Sequence, residues 1–294
     1  PEKFLTAKDI NQLTDLEQIQ LIQKNLKEND YQYIKPFKSP FHYQHAIRDA
    51  IGKLKQENVS PQKLRDITNQ ELNNFDKIED LYNDKGSNKG KIKSKYETLQ
   101  TDLKRNLELA DIYEKYQTAL VKDGKYDFAD MILHVLNAFE TDPEILATYQ
   151  EKYQYILVDE YQDTNSAQNT IVRTLGAFYD NPNIFVVGDD EQSIFRFQGA
   201  SLENILAFKE AYSDSRIIVL EKNYRSIQKI LDASRAVIQN NQNQIFNLLN
   251  IEKNLKSQRA DLKGDIEIAQ FSHGSVESFF TAKKIEELIK ENVD

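Results

Sequence analysis

The chain has 294 residues, a length that suits about two domains with stable cores. It has no cysteine, which excludes disulfide frameworks and thiolate metal sites, and no apolar run approaches the roughly 18 residues of a membrane helix. The formal net charge of -9 argues against nucleic acid as a partner unless a basic groove is local. We therefore expect a cytoplasmic protein with no membrane partner.

Residues 1–122 are rich in Lys, Glu, Asp, Asn and Gln, and their apolar residues recur at helical spacing. This pattern predicts a region made of helices, each with one apolar face. The apolar series include Leu13, Leu16, Ile19 and Ile22, and then Leu99, Leu103 and Leu107.

A basic segment interrupts this helical region. Residues 85–95 hold five lysines, two glycines and no acidic residue. A polar stretch with glycine favours a solvated loop between two helices, whereas clustered lysines also fit an edge that contacts phosphate. Both interpretations stay open at the level of the sequence.

After Gly124 the chain alternates between strands and helices with short connections. Such alternation predicts right-handed crossovers and a mostly parallel sheet. We predict helices at 127–139 and 142–152, a strand at 153–159, a helix at 166–179, a strand at 183–188, a helix at 202–212 and a strand at 216–220.

The last part of the chain continues the alternation. We predict a helix at 227–240, a strand at 265–271 and a helix at 275–291. These elements fit the start of a second α/β domain.

Two of the predicted strands end on acidic residues. Asp159 and Glu160 follow an apolar run of the kind found in strands that helices cover on both faces. The strand at 183–188 is followed by three acidic residues and Gln192. If the two strands are neighbours, these groups converge at the carboxyl edge of the sheet, where carboxylates suit Mg²⁺ and a second acid can activate a water. Alternatively, the acids cap the following helices or face solvent.

Three segments resemble motifs of a known family. Residues 159–165 (DEYQDTN), 187–200 (VGDDEQSIFRFQGA) and 220–226 (LEKNYRS) are similar to motifs II, III and IV of superfamily 1 DNA helicases of the UvrD/Rep/PcrA type. The segments occur in the family's order and at its spacing. Residues 127–131 (DFADM) also resemble the family's segment ahead of motif II.

The resemblance implies an α/β fold, namely part of a RecA-like P-loop NTPase motor domain with a parallel sheet. Residues 1–122 would then be an all-α inserted subdomain of the 1B type. Residues 123–215 would be the second half of the first RecA-like domain, of the 1A type. Residues 216–294 would be the start of a second RecA-like domain, of the 2A type.

The resemblance also implies roles in ATP hydrolysis. Asp159 would hold Mg²⁺, and Glu160 would be the base that activates the attacking water. Gln192 would sense the γ-phosphate. In the second domain, Tyr224 would stack on the adenine and Arg225 would reach the γ-phosphate, a role in which an arginine accelerates hydrolysis by roughly 10³ to 10⁵.

DNA contacts are implied for the segment that follows Gln192. In the family, rings at the positions of Phe195 and Phe197 stack on single-stranded bases, and Phe197 stands where tryptophan is frequent. Gln198 belongs to the same DNA-binding segment and replaces a common arginine, so one positive charge is lost. Core packing of the two rings is the alternative interpretation.

The phosphate-binding loop G-x-x-x-x-G-K-[ST] is absent from the sequence. Gly-Lys pairs occur at 52–53, 90–91 and 124–125, and none is followed by Ser or Thr. Motifs V and VI of the family are not found either. We expect an internal fragment of a longer helicase, with little or no ATPase activity of its own.

The function implied by the resemblance is that of an ATP-dependent helicase and translocase of the 3'-5' type, with ATP and Mg²⁺ as cofactors. Expected partners are single-stranded DNA, junctions of single-stranded and double-stranded DNA, and repair or replication proteins. One alternative is a module that binds single-stranded DNA or a partner protein without catalysis. Another is a metal-dependent nuclease that uses the same acids and would not need residues 223–226.

Overall fold

The computed structural model describes residues 11–85, 88–192, 202–240, 253–259, 261 and 264–291. The chain divides into two compact units, Pro1–Ser213 and Asp214–Asp294. Within the described residues, the first unit contains helices and two short parallel sheets, and the second contains helices and one short parallel sheet.

The described part of residues 1–122 folds mainly into helices, as predicted. They are α1 (Asp15–Glu28), α2 (Gln44–Gln56), α3 (Pro61–Phe75) and α4 (Ser94–Lys122). The apolar faces of α1, α2 and α4 meet in one core because each presents a stripe of large side chains to the others. This core includes Ile22, Leu26, Ile47, Ile51, Ile112, Tyr113 and Tyr116.

Helix α1 begins after the first member of its apolar series. Thr14 caps the helix, because its hydroxyl accepts a hydrogen bond from the Glu17 backbone and its own N–H donates to the Glu17 carboxylate. Leu13 therefore lies before the helix and is buried, whereas Leu16 is exposed. The buried apolar side chains of α1 are Ile19, Ile22 and Leu26.

A short strand that the sequence did not predict joins the two ends of the helical region. Strand β1 (Asn11–Gln12) pairs in parallel with β2 (Lys125–Tyr126). The Leu13 N–H donates to the carbonyl of Tyr126 at 2.9 Å. The chain therefore enters and leaves the helical region at neighbouring points.

The α/β part of the first unit follows the predicted order. Its elements are α5 (Phe128–Thr141), α6 (Pro143–Lys152), β3 (Ile156–Val158), α7 (Ser166–Gly176), β4 (Ile184–Val186) and α8 (Leu202–Ala211). Strands β3 and β4 are parallel neighbours. The predicted parallel pairing is therefore confirmed, although each strand is shorter than the sequence pattern suggested.

One face of the β3–β4 sheet is open within the described residues. Leu157 and Phe185 are register partners on this face, and their exposures are 73% and 56%. The expectation that helices cover both faces is therefore wrong for this part of the chain. The helices that the structure describes leave this side of the two strands uncovered.

The second unit contains two of the predicted helices. They are α9 (Gln228–Ile238) and α10 (Gly274–Lys290). Its described sheet consists of β5 (Lys222–Asn223) and β6 (Lys256–Ser257), which are parallel.

Two strands predicted in the second unit are wrong. Residues 216–220 and 265–271 are not in strands. Ile218 is exposed, and Ile268 is 94% exposed. A strand requires a hydrogen-bonded neighbour as well as an apolar pattern, and the ladder of this unit forms at β5 and β6 instead.

None of the helices in the described ranges combines the length and the hydrophobicity that crossing a bilayer demands.

Candidate functional site

The carboxyl ends of β3 and β4 meet at one edge of the sheet. The ladder continues past both strands, because the Val187 N–H donates to the Val158 carbonyl at 2.9 Å and the Tyr161 N–H donates to the Val187 carbonyl at 2.8 Å. The segments that begin at Asp159 and Gly188 therefore lie side by side. The sequence predicted this convergence on the condition that the strands are neighbours, and they are.

Glu160 has an unusual backbone conformation. Its φ of 48° and ψ of 45° lie in the left-handed region, which costs a residue with a side chain roughly 1–3 kcal/mol. The conformation turns the chain sharply from β3 into a short helical turn, Tyr161–Asp163. Asp159 and Glu160 are both exposed, and one oxygen of Asp159 accepts the Glu160 N–H at 3.0 Å. Backbone strain of this kind concentrates at functional sites.

A buried amide joins the two strand ends. Gln162 is 1% exposed. Its Nε2 donates to Oε2 of Glu160 at 2.7 Å, and its Oε1 accepts the Asp189 N–H at 2.9 Å. On the far side, Nε2 of Gln192 donates to Oδ2 of Asp189 at 2.9 Å. A continuous chain of hydrogen bonds thus runs from Glu160 to Gln192.

Gly188 leaves room for this amide. A Cβ at position 188 would lie 2.8 Å from Oε1 of Gln162 and 3.2 Å from its backbone nitrogen. Any larger residue would therefore push the amide oxygen out of its position. Sequence reasoning assigned no role to Gln162 or Gly188; the only available signal was a polar residue and a glycine inside two segments predicted to be adjacent.

Buried hydrogen bonds to α7 and α8 hold the turn after Glu160 in place. The Tyr161 hydroxyl donates to Asn169 on α7 at 2.5 Å, and Asn204 on α8 donates to the Thr164 carbonyl at 2.8 Å. Burial raises the pKa of Tyr161 to about 12. The hydroxyl therefore keeps its proton, and can donate it to Asn169, even at an alkaline pH at which an exposed tyrosine begins to ionise.

The acids at this edge suit Mg²⁺, because this ion needs only one or two carboxylate ligands from the protein. Across the ranges that the structure describes, no group of three or more His, Asp or Glu side chains is placed to hold a metal. Mg²⁺ is commonly bound by one or two carboxylates, with water and substrate phosphates as the other ligands. The exposed carboxylate of Asp159 at a strand end suits that coordination.

The structure does not describe the DNA-binding residues that the resemblance implies. Phe195, Phe197 and Gln198 lie outside the residues that the structure describes. Gln192, just before them, is exposed and ends the short turn Asp190–Gln192.

The nucleotide-contacting residues expected from the second domain lie in a tight turn after β5. Oδ1 of Asn223 accepts the backbone N–H groups of Arg225 at 3.0 Å and Ser226 at 2.8 Å. The side chains of Tyr224 and Arg225 are both exposed, and the exposure of Tyr224 is 66%. Tyr224 and Arg225 belong to the second unit, and Asp159, Glu160 and Gln192 belong to the first.

The described residues of the basic segment, 85 and 88–95, run from the loop after α3 into the first turn of α4, and we call them the basic hairpin. Tyr82 and Ile92 form an antiparallel bridge across its base. Lys95 pairs with Asp80 at 2.6 Å, and Lys93 lies 3.4 Å from the same carboxylate. The hydrogen bond from Lys95 lowers the pKa of Asp80. Two of the five lysines are thus paired, and phosphate contact by the others stays a prediction.

The segment ahead of motif II contains a buried ionic cluster that the sequence did not predict. Nζ of Lys55, a fully buried residue of α2, lies 2.5 Å from Oδ2 of Asp127 and 2.7 Å from Oδ1 of Asp130. The Tyr116 hydroxyl also donates to Asp127 at 3.1 Å. Burial alone would raise the pKa of Asp130, but the charge and hydrogen bond of Lys55 lower it.

Parallel strands connected by helices define the α/β class of folds, whose members bind ligands at the carboxyl ends of the strands. In this chain Asp159 and Glu160 lie at that edge. Residues 2–213 match the model of the family described as UvrD/REP helicase N-terminal domain, and residues 218–294 match that of the UvrD-like helicase C-terminal domain. The chain therefore belongs to the UvrD/REP helicase family, whose motor domains have a RecA-like α/β fold. The resemblance found in the sequence is confirmed.

Similar proteins carry a shared name. The ATP-dependent DNA helicase PcrA of Bacillus subtilis (strain 168) is 47% identical over 135 residues, which are 46% of this chain and 18% of that protein. PcrA of Staphylococcus aureus (strain Mu50 / ATCC 700699) is 47% identical over 133 residues, 45% of this chain and 18% of that protein. The matches span less than a fifth of each relative.

Proposed function

We propose that these residues belong to an ATP-dependent DNA helicase that uses ATP hydrolysis to move along single-stranded DNA and to unwind duplexes in the 3'-5' direction. Membership of the UvrD/REP helicase family supports this function, as do relatives whose name is ATP-dependent DNA helicase PcrA. The observation that carries it is the pairing of β3 with β4, which brings Asp159 and Glu160 beside the segment that leads to Gln192.

In this proposal the acidic pair divides the chemistry. Asp159 would hold Mg²⁺, which neutralises charge on phosphate oxygens when it is bound. A water attacks the γ-phosphorus, and its proton passes to the carboxylate of Glu160. The bond between the γ-phosphorus and the bridging oxygen then breaks, leaving ADP and phosphate. The exposure of both carboxylates leaves them accessible to water and nucleotide.

Three further residues would contact the nucleotide. Gln192 would report the presence of the γ-phosphate, and its hydrogen bond to Asp189 ties it to the same edge of the sheet. Tyr224 would stack on the adenine, and Arg225 would approach the γ-phosphate. The turn after β5 supports these two roles, because it presents both side chains to solvent.

The larger segments would be subdomains of the same helicase, and DNA would be its partner. Residues 1–122 would be an all-α inserted subdomain, and residues 216–294 would open a second RecA-like domain. Phe195 and Phe197 would stack on single-stranded bases, where each contact contributes about 1–3 kcal/mol, and Gln198 would contact the same strand. Junctions of single-stranded and double-stranded DNA, and repair or replication proteins, would be further partners in the cytoplasm.

The test is the ATPase activity of the full-length natural protein that contains these residues. We expect Glu160→Gln to lower DNA-stimulated turnover by roughly 10² to 10⁴, the usual contribution of a general base. Glu151→Gln, which changes an exposed acid at the end of α6, is the matched control and should leave turnover unchanged. Near-normal turnover in Glu160→Gln would contradict the assignment.

A further inference from the structure

The amide of Gln162 forms hydrogen bonds in opposite directions along the edge of the sheet, and its Nε2 also makes a longer contact of 3.5 Å with Oδ2 of Asp163. Nε2 donates to the Glu160 carboxylate at 2.7 Å, and Oε1 accepts the Asp189 N–H at 2.9 Å. The side chain is almost fully buried, so both groups depend on these partners rather than on water. Gln162 is thus a side-chain link between the segment after β3 and the segment after β4, in addition to the backbone bond from Tyr161 to Val187.

Only an amide of this length can make both bonds at once. A carboxylate in the same place could accept the Asp189 N–H but could not donate to Glu160, and a thioether could not donate and would accept only weakly. Gly188 adds a second constraint from the other strand, because a Cβ there would lie 2.8 Å from Oε1 of Gln162. The two residues fit together as a pair.

The bond to Glu160 restrains a carboxylate that is otherwise exposed. The Glu160 side chain starts from a left-handed backbone that sets its direction, and Gln162 holds its end through Oε2. A reacting group that is held in one orientation reacts faster, and a misplacement of about 1 Å can cost roughly 10²-fold in rate.

We propose that Gln162 is a positioning residue that orients the Glu160 carboxylate and links its orientation to the Asp189 and Gln192 turn. The inference rests on the proposed role of Glu160 as the base. When the turn after β4 moves, the Asp189 N–H moves with it, and the amide that holds Glu160 must follow or break one of its bonds. Gln162 touches neither nucleotide nor water in this scheme and acts through Glu160 alone.

The test compares Gln162→Met and Gln162→Glu in the full-length natural protein, with turnover and the dissociation constant of ATP measured separately. We expect both variants to lower kcat by roughly 10-fold to 10²-fold, with ATP binding changed less than about 3-fold. In a Glu160→Gln background, Gln162→Met should cause no further loss, because the group on which it acts is already gone. A general structural defect would weaken ATP binding and would add to the loss.

Gly188→Ala tests the same link from β4 and serves if Gln162→Met does not fold. It should lower kcat while leaving ATP binding intact, and it should have no additional effect together with Gln162→Glu. Normal kcat in Gln162→Met, Gln162→Glu or Gly188→Ala, while Glu160→Gln is inactive, would overturn the inference and leave the proposed function standing. Normal turnover in Glu160→Gln would overturn the proposed function itself.

Discussion

At the scale of single residues, the chemistry of the candidate site depends on a carboxylate in a costly backbone conformation. Glu160 is one of two residues other than glycine with positive φ in the described part of the chain. The sequence predicted that Glu160 and Asp159 end a strand, because an apolar run gives way to two acids. It could not predict the left-handed turn or the amide of Gln162, since these follow from how the turn packs against the neighbouring strand.

We expect the strain at Glu160 to be measurable. Glu160→Gly and Glu160→Ala remove the same carboxylate, but only glycine adopts the left-handed conformation without a clash of Cβ. The glycine variant should therefore be more stable than the alanine variant by about 1 kcal/mol. Denaturant unfolding of the two variants checks this, and equal stabilities would mean that the turn relaxes once the carboxylate is gone.

At the scale of elements, the helical region is tied to the α/β part by charge as well as by packing. Lys55 on α2 reaches the two acids at the start of α5, Asp127 and Asp130. The partners are far apart in sequence, so helical periodicity could not reveal them, although it did predict the helices. The same limit explains the wrong strand at 216–220, because an apolar pattern does not say where a partner strand will lie.

We expect Lys55→Met to destabilise the first unit by about 3–5 kcal/mol, since it leaves two buried carboxylates without a cation. Lys63→Met on the exposed side of α3 removes the same charge and should change the free energy of unfolding by less than about 0.5 kcal/mol. Urea unfolding of both variants measures the difference. Similar values for the two would contradict a structural role for the cluster.

The same cluster predicts a pH dependence of stability. The pKa of Asp130 is lowered in the folded chain, so the unfolded chain binds its proton more readily. The contribution to stability is complete above the ordinary Asp pKa of about 3.9 and is lost as the pH falls through the lowered folded value. Unfolding free energies measured from neutral pH into this acid range should fall less steeply in Asp130→Asn, and an unchanged slope would contradict the assignment.

At the scale of the whole molecule, a chain with a net charge of -9 belongs to a family of DNA helicases. Composition alone argues against binding to DNA. The motif segments outweigh that argument, because they resemble the family's motifs in order and in spacing. The basic hairpin offers a local positive charge for phosphate within this acidic chain. Lys89 and Lys91 are exposed there, while Lys93 and Lys95 are close to Asp80.

If the chain binds single-stranded DNA through phosphates, its affinity should fall steeply with salt. Each phosphate contact contributes about 0.7 to the slope of log K against log salt on a single strand. Replacing Lys89 and Lys91 with Gln should therefore lower the slope by about 1.4 if both make contacts. Replacing Lys93 and Lys95 with Gln removes the same charge and should lower it less. Fluorescence anisotropy across a salt series measures this, and a flat dependence would contradict phosphate binding by the hairpin.

The pairing of β1 with β2 has a consequence for the order of folding. It closes a loop of roughly 110 residues. Closing a loop of this length costs about 4 kcal/mol more in entropy than closing a loop of one residue. A ladder of a few hydrogen bonds, each with a net contribution of about 1 kcal/mol, scarcely offsets this. We therefore expect the ladder to form late in folding, after the helices between its strands have packed together.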